Sequence, residues 1–324
     1  MKARNSLLCA LALAGCGNLS NDDLIFLAGI PRPAEVALDV QDSGAGALTQ
    51  ALGEEAELYR GARSIAAGVN GGVEGLLRFV DSLGRGYPPT ERTDDTRVWG
   101  PVSNVDGKHF TLRLEIKREE NAAGGARFSF CLQVAPDSAY TGDDATCGDL
   151  GTSGLKNVLY GHYDPRRGGG ARSGSGQIFL DFEALVAGGG EERGFFALDY
   201  DFSDGGIEKQ IHIDWTGPLG GMLAYDYGRT ADGHVDFSFE ITAVNTGTTG
   251  NDPESWSINA FWDENAGGRA DALGRGGDLE PDQFATATEC WDAGHRRTYW
   301  RVVIWRGTVE EAVLADEGSV ADCP

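Results

Sequence analysis

FTLRLEIK, residues 110–117, sets Phe110, Leu112, Leu114 and Ile116 against Thr111, Arg113, Glu115 and Lys117 in strict alternation. Successive side chains of an extended chain point to opposite faces, so a period of two means a strand with one buried and one wet face. The pattern returns in Phe128, Phe130, Leu132 and Val134, in Phe196, Leu198, Tyr200 and Phe202, in Ile211, Ile213 and Trp215, and in Val235, Phe237, Phe239 and Ile241. Roughly ten to twelve such runs lie between residues 96 and 306, separated by glycine or Asn/Asp turns with no helical crossover. They predict an antiparallel meander. The 48 glycines among 324 residues agree with a turn-rich, mainly β chain.

A different period precedes the strands. Leu48, Leu52, Tyr59, Ala62, Ala66, Val69, Val73, Leu76, Val80 and Leu83 recur at spacings that place them on one helical face, with Glu55 the polar exception. Asn70-Gly71-Gly72 interrupts the stripe, and a glycine inside a helix costs about 1 kcal/mol, so two helices or one bent helix are expected. Gly84, Gly86, Pro88 and Pro89 end the run. An apolar stripe of that length must be buried, and the apolar side of a curved sheet is the nearest place for it. The expected fold is therefore mainly β (α+β), an antiparallel meander curled into a barrel or half-barrel around an N-terminal amphipathic helix or bent helix pair.

The first residues read as an address. Lys2 and Arg4 precede an apolar run from Leu7 to Ala14 that is too short to span a bilayer, the layout of a signal peptide. The run closes on Leu13-Ala14-Gly15-Cys16, which resembles the lipobox of bacterial lipoproteins. That resemblance implies cleavage before Cys16, triacylation of Cys16 and a membrane tether; Gly17, where an aspartate would retain the protein, implies export to the outer membrane. The expected organisation is a signal peptide over 1–15, a tether over 16–46 and one β-rich domain over 47–324. Within that domain, 47–84 is helical, 96–306 forms the sheet, and 308–324 holds a short helix and tail. The short helix starts at Thr308, whose hydroxyl has capping-box spacing to Glu311.

Of six cysteines, Cys9 belongs to the signal and Cys16 to the anchor, leaving Cys131, Cys147, Cys290 and Cys323. An even remainder in an exported chain points to two disulfides. Connectivity is open from sequence; the local pairings join Cys131 with Cys147 and Cys290 with Cys323, each closing a loop worth about 3 to 4 kcal/mol. The formal charge is −23 and becomes more negative once Lys2 and Arg4 leave. Such a chain repels nucleic acid and anionic membrane surface.

A curved antiparallel sheet around helices is similar to the periplasmic lipoprotein carriers and related lipid-binding lipoproteins, over about residues 48–306. The resemblance implies an apolar ligand, for which Leu52, Tyr59, Val69, Val73, Leu76 and Val80 are the lining candidates. GRADALGRGGDL (268–279 with Gly268 first) and ATECWD (287–292) also resemble uncharacterised bacterial lipoproteins, which implies no activity.

Catalytic signatures are sparse. No G-x-S-x-G, H-E-x-x-H, G-K-[ST] or C-x-x-C occurs. The glycine- and arginine-rich loop RRGGGARSGSG (166–176) reads as a hairpin connection. His162 with Asp164 and His212 with Asp214 lack a third ligand, and Asp181, Asp199, Asp201 and Glu240 occupy polar strand faces. Tryptophans 215, 256, 262, 291, 300 and 305 suit a core better than a sugar platform. FWDENAGGRADALGRGGDL (261–279) invites a calcium reading with Asp263 first, Asn265 third and Asp271 ninth. Gly267 and Gly274 then stand at positions five and twelve, where ligands are needed. A structural loop between strands at Ser255–Trp262 and Phe284–Trp291 is the better expectation, with no resident metal and no cofactor. The function expected is that of a non-enzymatic, lipid-anchored envelope protein binding an apolar ligand or an envelope partner of unknown identity. The alternative is a secreted hydrolase or carbohydrate-binding module using surface carboxylates and tryptophans.

Overall fold

A computed structural model describes residues 19–40, 52–103, 109–142, 145–149, 151–166, 172–186, 194–217, 222–243, 252–263 and 266–323. Fifteen strands run in sequence order: β1 (Glu91–Arg92), β2 (Thr96–Ser103), β3 (Phe110–Glu120), β4 (Ala126–Pro136), β5 (Lys156–Pro165), β6 (Gly174–Asp181), β7 (Phe195–Ser203), β8 (Glu208–Thr216), β9 (Met222–Arg229), β10 (His234–Ala243), β11 (Glu254–Asp263), β12 (Gly267–Arg275), β13 (Gln283–Trp291), β14 (Arg297–Arg306) and β15 (Val309–Gly318). Each neighbours in the sheet the strands next to it in the chain, the antiparallel meander that alternation predicts. The order is open, with β1 and β15 at its two ends, so the closed-barrel alternative does not hold. Both ends are poor partners: β1 has two residues, and β15 is acidic and joins β14 with two register shifts.

The helices are α1 (Asn21–Leu27), α2 (Pro33–Val36), α3 (Glu57–Gly86) and α4 (Phe182–Val186). The stripe forms one helix, α3, which runs through Asn70-Gly71-Gly72 where an interruption was expected. Tyr59, Ala62 and Ala66 are buried before the glycines and Val73, Leu77, Val80 and Leu83 after them, so burial of a single face outweighs the glycine penalty. One position of the expected seam moves by a residue: Leu77 is buried and Leu76 is half-buried. Leu52 is exposed ahead of the helix. Val69 is half-buried.

By contact the described residues group into two compact units, the first containing those up to 36, 71–206 and 213–222, the second those of 37–70, 207–212 and 223 onward. Open twisted sheets rarely exceed about ten strands around one core.

In the first unit, residues expected to be tether are folded. Ser20 and Asp23 form a capping box that starts α1, and Phe26, Leu27, Ile30 and Val36 are buried. Phe26 meets Phe128 edge-on at 6.1 Å, and the Arg97 guanidinium lies 4.4 Å from the Phe26 ring centre. Leu27 packs on Gly84 so closely that a Cβ there would fall 2.2 Å from a leucine methyl. Asp23, fully buried, takes hydrogen bonds from Arg97 Nε at 2.8 Å and Arg92 Nη2 at 3.2 Å. Glu35, also buried, pairs with Arg172 at 3.1 Å and accepts the Arg32 N–H at 2.7 Å. On the opposite sheet face, the Cys131–Cys147 disulfide pins a loop whose Ala145 and Leu155 pack with Ala135. Beneath it Arg113 donates to Gln133 and Glu115, and Gln133 donates to Asn157 and to the Thr146 carbonyl.

In the second unit, Leu38 and Asn70 exchange two hydrogen bonds of 2.8 and 2.9 Å. Lys209 faces inward from β8 and donates to Asp39 at 2.8 Å and to the Ala37 carbonyl at 2.9 Å. Tyr59 of α3 is fully buried against Trp262 and Trp291, both at 5.5 Å between ring centres, and stacks on His295 at 4.1 Å.

GRADALGR, expected as part of a long turn, is strand β12 itself. Its inward positions are Gly268, Ala270, Ala272 and Gly274, and neighbouring indoles lie over the two glycines. A Cβ on Gly274 would fall 2.8 Å from the Trp256 ring, and one on Gly268 would meet Trp262 and Trp291. The helix expected from Thr308 is also a strand. Arg306 pairs with Val309, leaving Gly307-Thr308 as a two-residue turn with Gly307 at φ 60°. A helix that short is marginal alone, whereas β15 gains a ladder along β14 and is followed by a tail held by Cys290–Cys323.

Burial pushes the Asp23 carboxyl up, but hydrogen bonds from Arg92, the Ser20 N–H, Arg97 and the Ser20 hydroxyl outweigh it and hold its pKa at about 2. A depressed carboxylate stabilises the fold above its unfolded pKa of about 4 and loses that contribution as pH falls through the folded value. Asp23→Asn is expected to destabilise the protein by about 2 to 4 kcal/mol at pH 7 in urea denaturation, with the gap to wild type closing between pH 4 and pH 2. A gap that stays constant over that range would contradict this role.

Candidate functional site

The polar sheet face is organised as cross-strand pairs, which fixes where each sequence candidate lies. His162 sits 3.9 Å from Asp164, but Arg127 holds that carboxylate with two bonds of 2.8 and 2.6 Å. Burial lowers the His162 pKa and the Arg127 charge adds to it. His212 bonds Asp226 at 2.6 Å across to β9. Among the carboxylates, Asp199 accepts from Gln177, Asp201 pairs with Arg166, Glu240 accepts from Ser257, and Asp181 accepts the Ala184 N–H at the start of α4. Each is engaged with a different neighbour.

The calcium candidates separate in the same way. Asp263 pairs with Gly267 in the ladder and bonds His234 Nδ1 at 2.9 Å, which raises the histidine pKa. Asp271 stands four residues further along β12, about 13 Å away at strand spacing. There it is held by Arg269 at 2.8 and 2.9 Å and by the Thr288 hydroxyl at 2.8 Å. Asn265 lies outside the described residues. No cluster of three or more metal-ligating side chains occurs among the described residues. Cys16 likewise lies outside them.

What the fold does assemble is a flat outward tier on β12–β15. Phe284 and Trp305 are ladder partners, with ring planes 11° apart and centres 6.3 Å apart. The Arg275 guanidinium lies 5.8 Å from the Phe284 ring, and Glu310 follows Trp305 across to β15. Trp305 Nε1 donates to Thr286 at 2.9 Å, which fixes the indole, and Arg301 holds Glu310 at 3.0 Å. Phe284, Trp305, Thr286 and Leu273 are all half-exposed. Parallel rings edged by a guanidinium and a carboxylate suit stacking against a flat, hydrogen-bonding ligand face. Of the tryptophans weighed from sequence, Trp256, Trp262 and Trp291 belong to the core, and Trp305 alone joins this tier.

A second assembly faces inward. The buried Glu289 carboxylate accepts the N–H groups of Glu57 and Leu58 at 2.8 and 2.6 Å and Arg297 Nε at 2.6 Å, so a strand supplies the cap for the start of α3. Burial pushes the Glu289 pKa up, while Arg297 and the two N–H groups oppose the shift. Its signal in the sequence is a carboxylate at an inward position of the series Ala285, Ala287, Glu289, Trp291.

Thermal unfolding in millimolar calcium and in chelator is expected to give the same midpoint for the wild type and for Asp263→Ala. A rise of several degrees with calcium, lost in the variant, would restore the metal reading; a ligand at 100 times its dissociation constant stabilises by about 2.7 kcal/mol. Comparison with known proteins finds no matching family, no similar curated protein and no similar solved structure.

Proposed function

We propose that the chain is a non-enzymatic cell-envelope protein, anchored on the outer membrane through an acylated Cys16, that binds an envelope partner with the outward face of β12–β15. The observation that carries this reading is how the two faces of those strands are used. Inward positions are consumed by Trp256, Trp262 and Trp291 packing on Gly268 and Gly274, whereas Arg275 is exposed and Phe284 and Trp305 are partly exposed. The seam once assigned to an apolar ligand also favours a partner outside: Tyr59, Val73 and Val80 are core residues, buried to within 3%. Two disulfides agree with an oxidising compartment.

A carbohydrate as that partner is the second reading, favoured by the near-parallel rings of Phe284 and Trp305. The hydrolase alternative has less support, since its carboxylates bond separate neighbours.

A photo-crosslinking residue placed at Leu273 in cells is expected to capture an envelope component, and the same residue at Asp199 is not. Trp305→Ala should reduce the capture about tenfold while leaving the unfolding midpoint within a degree or two, because a stacked ring contributes about 1.5 kcal/mol to binding. Equal capture at both positions, or none at Leu273, would contradict the proposal. Stoichiometric lipid copurifying in native mass spectrometry would return the function to an apolar ligand.

A further inference from the structure

Three of the large hydrophobic side chains exposed among the described residues lie in the first unit: Leu24 at 42%, Ile25 at 48% and Tyr87 at 56%. Leu24 and Ile25 belong to α1 and Tyr87 directly follows α3, and the two helices meet where Leu27 packs on Gly84. At 100° per residue, Asp23, Phe26 and Leu27 share the buried face of α1, and Leu24, Ile25 and Ala28 share the opposite one. An apolar inner face is required for packing. An apolar outer face on a helix of a strongly acidic chain is not.

The length of chain before α1 identifies what covers that face. The described residues begin at Leu19, three residues after Cys16. Three residues span at most about 11 Å, comparable with the depth of a headgroup layer. With Cys16 acylated, the start of α1 is held within that distance of the membrane surface. We infer that the outward face of α1, with Tyr87, seats on the lipid surface, so that the body rests on the bilayer in a fixed orientation. This inference rests on the proposed acylation of Cys16.

The chemistry fits an interfacial site. Leucine and isoleucine side chains of an amphipathic helix enter the acyl boundary by about 5 to 10 Å, and tyrosine is favoured at headgroup level. Asp23, one of the two acids of α1, is turned inward and neutralised by Arg92 and Arg97. Asp22 remains on the flank of the helix.

The test is hydroxyl-radical footprinting of the full-length protein in phosphatidylethanolamine/phosphatidylglycerol vesicles against the soluble Cys16→Ala chain. Labelling of Leu24, Ile25 and Tyr87 is expected to fall about fivefold in the membrane-bound form, with Tyr160 and Phe179 unchanged. In an acylated Leu24→Ser/Ile25→Ser variant, whose changes point away from the core, Tyr87 labelling should return to the soluble level. Equal labelling of Leu24 and Ile25 in both forms, with intact mass showing acyl chains on Cys16, would overturn the seating and leave the anchor standing. An intact mass without acyl chains would overturn both.

Discussion

A charge that faces inward from a strand must be met by an opposite charge or by backbone donors, because leaving it bare in a core costs several kcal/mol. Three such positions organise this fold. Arg97, in ladder register with Ile116, receives Asp23; Lys209 receives Asp39 and the Ala37 carbonyl; Glu289 receives the first N–H groups of α3. Each inward charge marks where one piece of the N-terminal third docks. Pairing of this kind adds little net stability over apolar packing, but breaking one side is costly, so it selects a single placement for segments that pure apolar contact would leave free to slide.

Size complementarity completes what the charges begin. β12 has only glycine and alanine at its inward positions, and three indoles from β11 and β13 fill the space they leave. With the inner face closed in this way, the residues of β12–β14 that can meet another molecule are the outward ones. Arg275, Phe284 and Trp305 form their flattest group, and the Thr286 hydroxyl holds the indole in place. Packing thus decides which face is available for function.

Much of this was legible in the residues. Alternation such as that of Phe110 to Lys117 predicts the antiparallel meander, and the even cysteine remainder predicts the two local disulfides. Four features were not. Residues 19–40 have no sustained period, and their place is set by single long-range pairs such as Asp23 with Arg97, which no local pattern announces. GRADALGR alternates, but between small and polar residues, and the strand becomes visible once the neighbouring tryptophans supply its missing bulk. Thr308 and Glu311 satisfy a helix signal that loses to ladder pairing with β14, because a local cap cannot outweigh the bonds of a whole strand. The tier at Phe284 and Trp305 was not legible either, because it depends on the register of β13 against β14.

Native-state hydrogen exchange over residues 20–40 and the first turn of α3 tests the central claim most directly. If inward charges lock these segments to the sheet, their amides should exchange nearly as slowly as those of β3, β4 and β10–β13, slowed by several orders of magnitude relative to an unfolded chain. Exchange of residues 20–40 at unfolded rates while those strands stay protected would show a tether beside the sheet and contradict the account.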